Sequence, residues 1–204
     1  MSARSEQKLR TRRNLLDATL EQLGPERNFS GLSLREVTRA AGIAPTSFYR
    51  HFDDMNDLGL ALVEEAGLAL RQLMRKARSR IQEQGTAIDT SVDTFMEYLI
   101  NNTNHFRLLL QERSGNSQEF RTAIHLEIKH FVAELEEYLK QRAVEQNRPA
   151  LDVGLVADAM VTIVFHMAAQ ALDASRTERQ NLADKAKQQL RMIMAGAIWF
   201  ASKP

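Results

Sequence analysis

Residues 32–52, LSLREVTRAAGIAPTSFYRHF, read as two short helices hinged at Gly42. Ser33 precedes an apolar-periodic run and Glu36 follows three residues later, the spacing at which each side chain satisfies an orphan backbone donor of a helix start. A helix is therefore expected from Leu34, with Val37 and Ala41 on its inner face and Leu34 beside them. Gly42 stands where a left-handed C-terminal residue costs least. Pro45 pushes Ala44 toward extended geometry and opens the second helix at its first position. That helix is expected to run to about His51, with Phe48 turned inward and Thr46, Ser47, Tyr49, Arg50 and His51 on its outer faces.

Those outer side chains suit a DNA groove. Hydroxyls and the Arg50 guanidinium can bond base edges, and Tyr49 and His51 can reach backbone phosphates at the flank. The candidate DNA-contacting set also takes in Ser33 and Arg35 at the start of the first helix, Ala44 and Pro45 at the start of the second, and Arg12 and Arg13 upstream. Charge distribution supports the same surface. Residues 1–52 hold nine Lys+Arg against five Asp+Glu, a balance of +4, and the remainder holds eighteen against twenty-one, a balance of −3. Arg4, Lys8, Arg10, Arg12 and Arg13 crowd the N-terminus, where counterion release on DNA would require positive charge.

The rest of the chain reads as helix. With 204 residues, 44% hydrophobic and 26% charged, it can bury a sizeable core, and 9 Gly with 4 Pro leave little material for sheets linked by tight turns. The fold class is all-α. Leu9, Leu15, Leu16, Ala18, Leu20 and Leu23 give a first helix that ends at Gly24-Pro25 and braces the hairpin. Asp53 or Asp54 can cap a long helix through Leu58, Leu62, Ala66, Leu70, Leu73 and Ala77, with breaks expected at Gln84-Gly85 and later at Arg148-Pro149. The expected domains are a helix-turn-helix at 1–53, a connecting helix at 54–84, and a helical effector-binding and dimerisation domain at 85–204.

Enzymatic and membrane classes find little support. The five histidines show no zinc-binding spacing, and no nucleophile elbow, phosphate-cradling loop or dinucleotide fingerprint occurs. No metal or cofactor is expected. The absence of Cys and of an apolar leader after Met1 points to a cytoplasmic chain. Residues 155–172, LVADAMVTIVFHMAAQAL, are nearly apolar enough to span a bilayer, but Asp158, His166 and Gln170 interrupt them. A helix apolar on most faces needs partners on two sides. With the last helix, at about 177–201, it is expected to build a four-helix homodimer interface.

The residues at 32–52 together with Asp57-Leu58 resemble the TetR family of bacterial transcriptional regulators. Patches at 33–52, 58–78, 106–115 (FRLLLQERSG) and 189–193 (QLRMI) further resemble its FabR and DesT branch, repressors of unsaturated fatty-acid synthesis and desaturation. Two positions depart from the pattern: Thr38 stands where Ala is frequent, and Met55 where many relatives carry a phosphate-contacting Lys. The resemblance implies a homodimer with two recognition helices in successive major grooves of a palindromic operator, about 34–36 Å apart. It also implies an effector, a long-chain acyl-CoA or acyl-carrier-protein thioester.

Phe95, Met96, Phe106, Leu109, Phe131, Phe165 and Met167 are the candidates to line a tunnel for such a chain, since Met and Phe adapt to flexible hydrocarbon. The same stripes at helical spacing also describe an ordinary core. Leu99, Ile124, Arg107, Arg113 and His166 complete the candidate ligand set, His166 either bonding a ligand carbonyl or sitting satisfied in the core. Arg71, Arg75, Lys76, Arg78 and Arg80 form a cationic stretch that is either a solvated helix face or a phosphate site. Two alternatives remain open: a regulator of efflux genes, with Asp89, Asp93 and Glu97 neutralising a cationic drug, and a helical lipid carrier that does not bind DNA.

Overall fold

The computed structural model describes residues 3–84, 87–115, 117–146 and 151–202. The breaks expected at Gln84-Gly85 and Arg148-Pro149 therefore fall on or beside residues outside that set. Among the described residues the regular structure is helical, apart from an isolated bridge between Gly24 and Arg27. The fold class is all-α, with the helix-turn-helix at its N-terminal end.

The chain divides into two compact units, one of residues 1–67 with 104–125 and one of residues 68–103 with 126–204. The first contains α1 (Ala3–Leu20), α2 (Leu34–Ala40), α3 (Pro45–Phe48), the first part of α4 (Met55–Gln84), most of α6 (Thr103–Glu112) and the start of α7 (Gln118–Glu145). The second contains the rest of α4 and α7 with α5 (Ala87–Asn101), α8 (Val153–Ala171) and α9 (Arg176–Ala201). The units cut across the boundaries expected from sequence, because residues 104–125 cluster with the N-terminal helices.

In the first unit the hinge between α2 and α3 is built by local chemistry. Ser33 and Glu36 form a complete capping box, with the Ser33 N–H donating to Glu36 Oε2 at 2.9 Å and the Glu36 N–H donating to Ser33 Oγ at 3.3 Å. At the other end the Gly42 N–H donates to Arg39 O and the Ile43 N–H to Thr38 O, a Schellman closure that requires the positive φ of 67° at Gly42. Thr38 is buried in place of the usual Ala, and its hydroxyl donates to the Leu34 carbonyl at 2.8 Å, so the departure costs no unpaired polar group. The second helix is shorter than the sequence implied. It is one α-turn, extended to His51 and Phe52 by tighter turns in which the Arg50 N–H donates to Ser47 O and the His51 N–H to Phe48 O.

Leu15, Val37, Phe48, Phe52, Leu58 and Leu62 form the core of this unit, and α1 packs on α2 as the bracing helix. Leu9, read as part of the inner stripe, is instead 54% exposed, because the apolar face of α1 is carried by Leu15, Leu16 and Ala18. Gly59 is needed by packing: a Cβ there would lie 2.0 Å from the Phe120 ring and 2.7 Å from Phe29, whose rings sit 5.1 Å apart. The fully buried Glu112 carboxylate accepts the Ser30 N–H at 3.1 Å and the Ser30 hydroxyl at 2.7 Å, which ties α6 to the loop before α2.

In the second unit α8 packs on α9, and α5 packs on both. Asp152 caps α8, and Ser175 with Glu178 makes a second capping box at the start of α9. Ala157, Ala168 and Ala171 on α8 and Ala183 and Ala186 on α9 are all buried, small side chains that let two helices approach closely. The α8 helix is long and apolar enough to cross a membrane, yet one of its faces is buried in the unit core through Met160, Val161, Phe165 and Met167.

Candidate DNA-binding surface and effector cavity

The outer face of α3 is polar and open. Phe48 is fully buried beneath it, with ring contacts to Tyr49 and Phe52, whereas Thr46 and Arg50 are exposed and Tyr49 is 61% exposed. Arg35, Ala44 and Pro45 are also exposed, and Ser33 is exposed with its hydroxyl held by the capping box. Beside α3, a groove brings Arg4, Gln7, Lys8 and Thr11 of α1 together with Ile43, Ser47, Arg50 and His51. The spacing of 4, 7, 8 and 11 places these four on one face of a helix, a signal present in the sequence. The His51 imidazole sits below its ordinary pKa, first because it is partly buried and then because Lys8, Arg12 and Arg50 repel its charged form. Lys8 and Arg50 bring their positive charge to this groove.

Arg12 and Arg13, expected at the phosphates, both have partners within the unit, Arg12 partly buried and Arg13 exposed. The Arg12 guanidinium donates to the His51 carbonyl at 2.7 Å and lies 4.1 Å over the Phe52 ring. Arg13 is paired with Asp17 at 2.6 Å and with Glu65 at 2.9 Å. Within the basic run it is Arg4 and Lys8, not these two, that enter the groove with Arg50. Met55 opens α4 half-buried, and the helix start is capped by Asp54, which accepts the Asp57 N–H at 2.8 Å.

The second unit has a partly open cavity of about 140 Å³ between α4, α5, α7, α8 and α9. Its walls are apolar, with Leu73, Ile81, Val92, Phe95, Phe131, Leu135, Met160, Val161 and Met194 among them, and Arg78, Ser91 and Tyr138 are the polar side chains on it. Of the twelve candidate ligand residues, Phe95 and Phe131 line this cavity. Phe165 stands behind them, its ring 6.3 Å from Phe95 and 5.8 Å from Phe131. Met96 and Leu99 are buried elsewhere on α5. Phe106, Arg107, Leu109, Arg113 and Ile124 belong to the first unit and form no part of the lining, because the apolar stripe of α6 and of the start of α7 fills that unit's core.

His166 is neither core nor cavity. It is exposed, with Nε2 2.9 Å from the Gln170 side-chain nitrogen, beside a shallow depression that Met167 and Lys185 also border. The cationic stretch on α4 is largely committed within the unit. Arg71 pairs with Glu127 at 2.8 Å, Lys76 and Arg80 pair with Glu97, and Arg78 donates to the Glu134 carbonyl at 2.6 Å. Hydrogen bonds from Arg80 and then Lys76 hold the Glu97 carboxyl down at about 2. Asp89 pairs with Arg191 and Asp93 with Lys187. The lining residues that sequence reading did not assign to a pocket, among them Leu135, Tyr138, Met160, Val161 and Met194, lie on three helices whose mutual facing no local pattern reports.

Two family profiles match the chain. The profile described as "Bacterial regulatory proteins, tetR family" covers residues 15–62, and that described as "Tetracyclin repressor-like, C-terminal domain" covers residues 84–196. Solved structures with the same fold include the transcriptional regulator FadR from Bacillus subtilis in complex with stearoyl-CoA, at 16% identity and a TM-score of 0.70, covering 90% of this chain and 98% of that one. The fatty acid degradation regulator FadR from Bacillus halodurans is similar at 18% identity and a TM-score of 0.67, covering 88% of this chain and 94% of that one. Reduced NemR of E. coli is similar at 20% identity and a TM-score of 0.68, covering 90% and 96%. At these identities the likeness is one of fold.

Proposed function

From the premise that the chain belongs to the tetR family of bacterial regulatory proteins, and so is a DNA-binding transcriptional regulator, we propose that it represses genes of unsaturated fatty-acid synthesis or desaturation in response to a long-chain acyl thioester. The observation that carries this reading is the cavity: its walls are hydrocarbon over nearly their whole extent, which suits an acyl chain. The sequence patches shared with the FabR and DesT branch point the same way, and the Bacillus subtilis FadR of similar fold was solved with stearoyl-CoA. The competing reading, a sensor of cationic drugs, loses its support. Asp89, Asp93 and Glu97, the acids offered for such a cation, are each already neutralised by a basic side chain.

At about 140 Å³ the cavity is close to the ~150 Å³ void that takes a benzene and below the roughly 300–1,000 Å³ of ordinary ligand pockets. A long chain therefore requires the surrounding helices to part. That requirement is what makes the ligand an effector, because only differential binding to two conformations shifts their populations. Saturated and cis-unsaturated chains, one straight and one bent, demand different repacking. The coupling to operator affinity is then reciprocal between the two sites.

The acting form is a homodimer in the cytoplasm, as the family implies. Leu155 on α8 and Met192, Trp199 and Phe200 on α9 are large apolar side chains left exposed in the single chain, as a four-helix interface between two copies requires. A mobility-shift titration on promoters of desaturation and unsaturated-fatty-acid synthesis genes, with saturated and with unsaturated acyl-CoA, tests the whole reading. The expected result is an operator affinity that differs between the two thioesters. Identical shifts with either thioester and with neither would remove the effector assignment and leave the DNA-binding function standing.

A further inference from the structure

The cavity of the second unit is too small for a long chain, and its wall is not equally firm on every side. Leu73, Val92 and Val161 are at most 2% exposed, and Phe95 and Phe131 are backed by Phe165. Leu139 on α7 and Met194 on α9 are only half-buried, so surrounding packing holds them less tightly. Both also border a second void, of about 40 Å³, whose other walls include Ala143 of α7, Leu151, and Val153 and Val156 of α8. Arg142 and Gln146, both exposed, are the polar side chains on it. Two side chains, one from each of two helices, thus form a wall common to both spaces.

We infer that Leu139 and Met194 are a movable partition between two chambers of one channel, and that the hydrocarbon chain of the effector passes between them into the space beside Ala143. The inference rests on the reading of the first cavity as the effector site, and adds where its wall gives way. Met194 is the part suited to move, since an unbranched side chain with three rotatable bonds can turn aside without a shift of its helix. A short chain fills the first chamber and leaves the partition closed. A longer one displaces Met194 and gains contact with Val153 and Val156. The second chamber then sets the chain length that fits. Each methylene taken out of water adds about fourfold to affinity, so discrimination between lengths needs no polar contact.

Calorimetric titration of the full-length protein with straight-chain acyl-CoAs, from hexanoyl to stearoyl, tests this. Wild type is expected to bind more tightly as the chain lengthens. Ala143 lines the second void and not the first, so Ala143→Leu should weaken stearoyl-CoA about tenfold or more and leave hexanoyl-CoA within about twofold. Met194→Ala, at a half-buried position, should act in the opposite sense: hexanoyl-CoA loses part of its wall, and stearoyl-CoA no longer has to displace a side chain. The ratio of the two affinities should then move about threefold or more toward the longer chain. A ratio that neither substitution moves, or that both move in the same direction, would overturn the channel while leaving the first cavity an acyl site. No binding of any acyl-CoA to wild type would overturn the effector reading itself, and the channel with it.

Discussion

The two units of this chain are stabilised in different ways. The N-terminal unit is specified turn by turn: a capping box at Ser33, a Schellman closure at Gly42, a proline at the first position of α3, and a glycine at 59 that no other residue can replace without moving two phenylalanines. The second unit, although its α8 and α9 are also capped, is built mainly of layers of apolar side chains with a cavity among them and ion pairs between its helices. The difference teaches what each end of a switch requires. A surface that reads DNA must hold its side chains close to one geometry, whereas a unit that is to sense a hydrocarbon chain, as proposed, must be able to repack.

The comparison can be attacked most strongly at Phe165, which backs the cavity wall against Phe95 and Phe131. Phe165→Ala should cost about 3–5 kcal/mol of stability by thermal or denaturant unfolding, the range for a buried aromatic truncated to Ala. A loss below about 1 kcal/mol would mean that the wall collapses freely and that the second unit is softer than its burial implies. Gly59→Ala probes the other side. Its Cβ would fall 2.0 Å from the Phe120 ring, so a loss of about 1–3 kcal/mol is expected, and no loss would show that the first unit also repacks.

A smaller effect separates readers from braces within the first unit. Arg50→Ala should cost on the order of 1–3 kcal/mol of operator binding and relax sequence preference if the guanidinium reads a base, and a uniform loss across sequences would reassign it to phosphate. Arg13→Ala, which breaks pairs with Asp17 and Glu65, should leave the salt dependence of DNA binding nearly unchanged. The mildest test lies in the second unit. The Glu97 carboxyl is depressed from 4.5 to about 2 by Arg80 and Lys76, so its contribution is fully present above pH 4.5 and is lost as pH falls toward 2. Glu97→Gln should lower stability slightly at neutral pH and low salt and converge on wild type as pH falls toward 2, flattening that part of the profile. The pair is exposed enough for salt to screen it.

Legibility in the sequence followed the range of the interactions involved. The hinge, its capping box and the all-α class depend on residues a few positions apart, and the spacing of Ser33, Glu36, Gly42 and Pro45 displays the first two. Arg12 and Arg13 read as phosphate contacts because they are basic and near the hairpin, whereas the structure also gives them partners that no local spacing shows, a His51 carbonyl 39 residues away and a Glu65 52 residues away. The periodicity of Phe106, Leu109 and Ile124 was as clear as that of Phe95 and Phe131, yet a stripe shows only that a helix has an inner face. It does not say which of two cores that face enters.

By itself, then, the sequence determined the helices, the hinge and the family, because capping, turn conformation and amphipathic period are local properties encoded within one or two turns. The tertiary structure decided that Arg4 and Lys8 share the groove with Arg50, that residues 104–125 cluster with the N-terminal helices, and that Phe95 and Phe131 line a cavity that Phe106 and Leu109 do not reach. Those outcomes depend on which faces of distant helices meet, and the free energy that selects the pairing comes from burying all of them together.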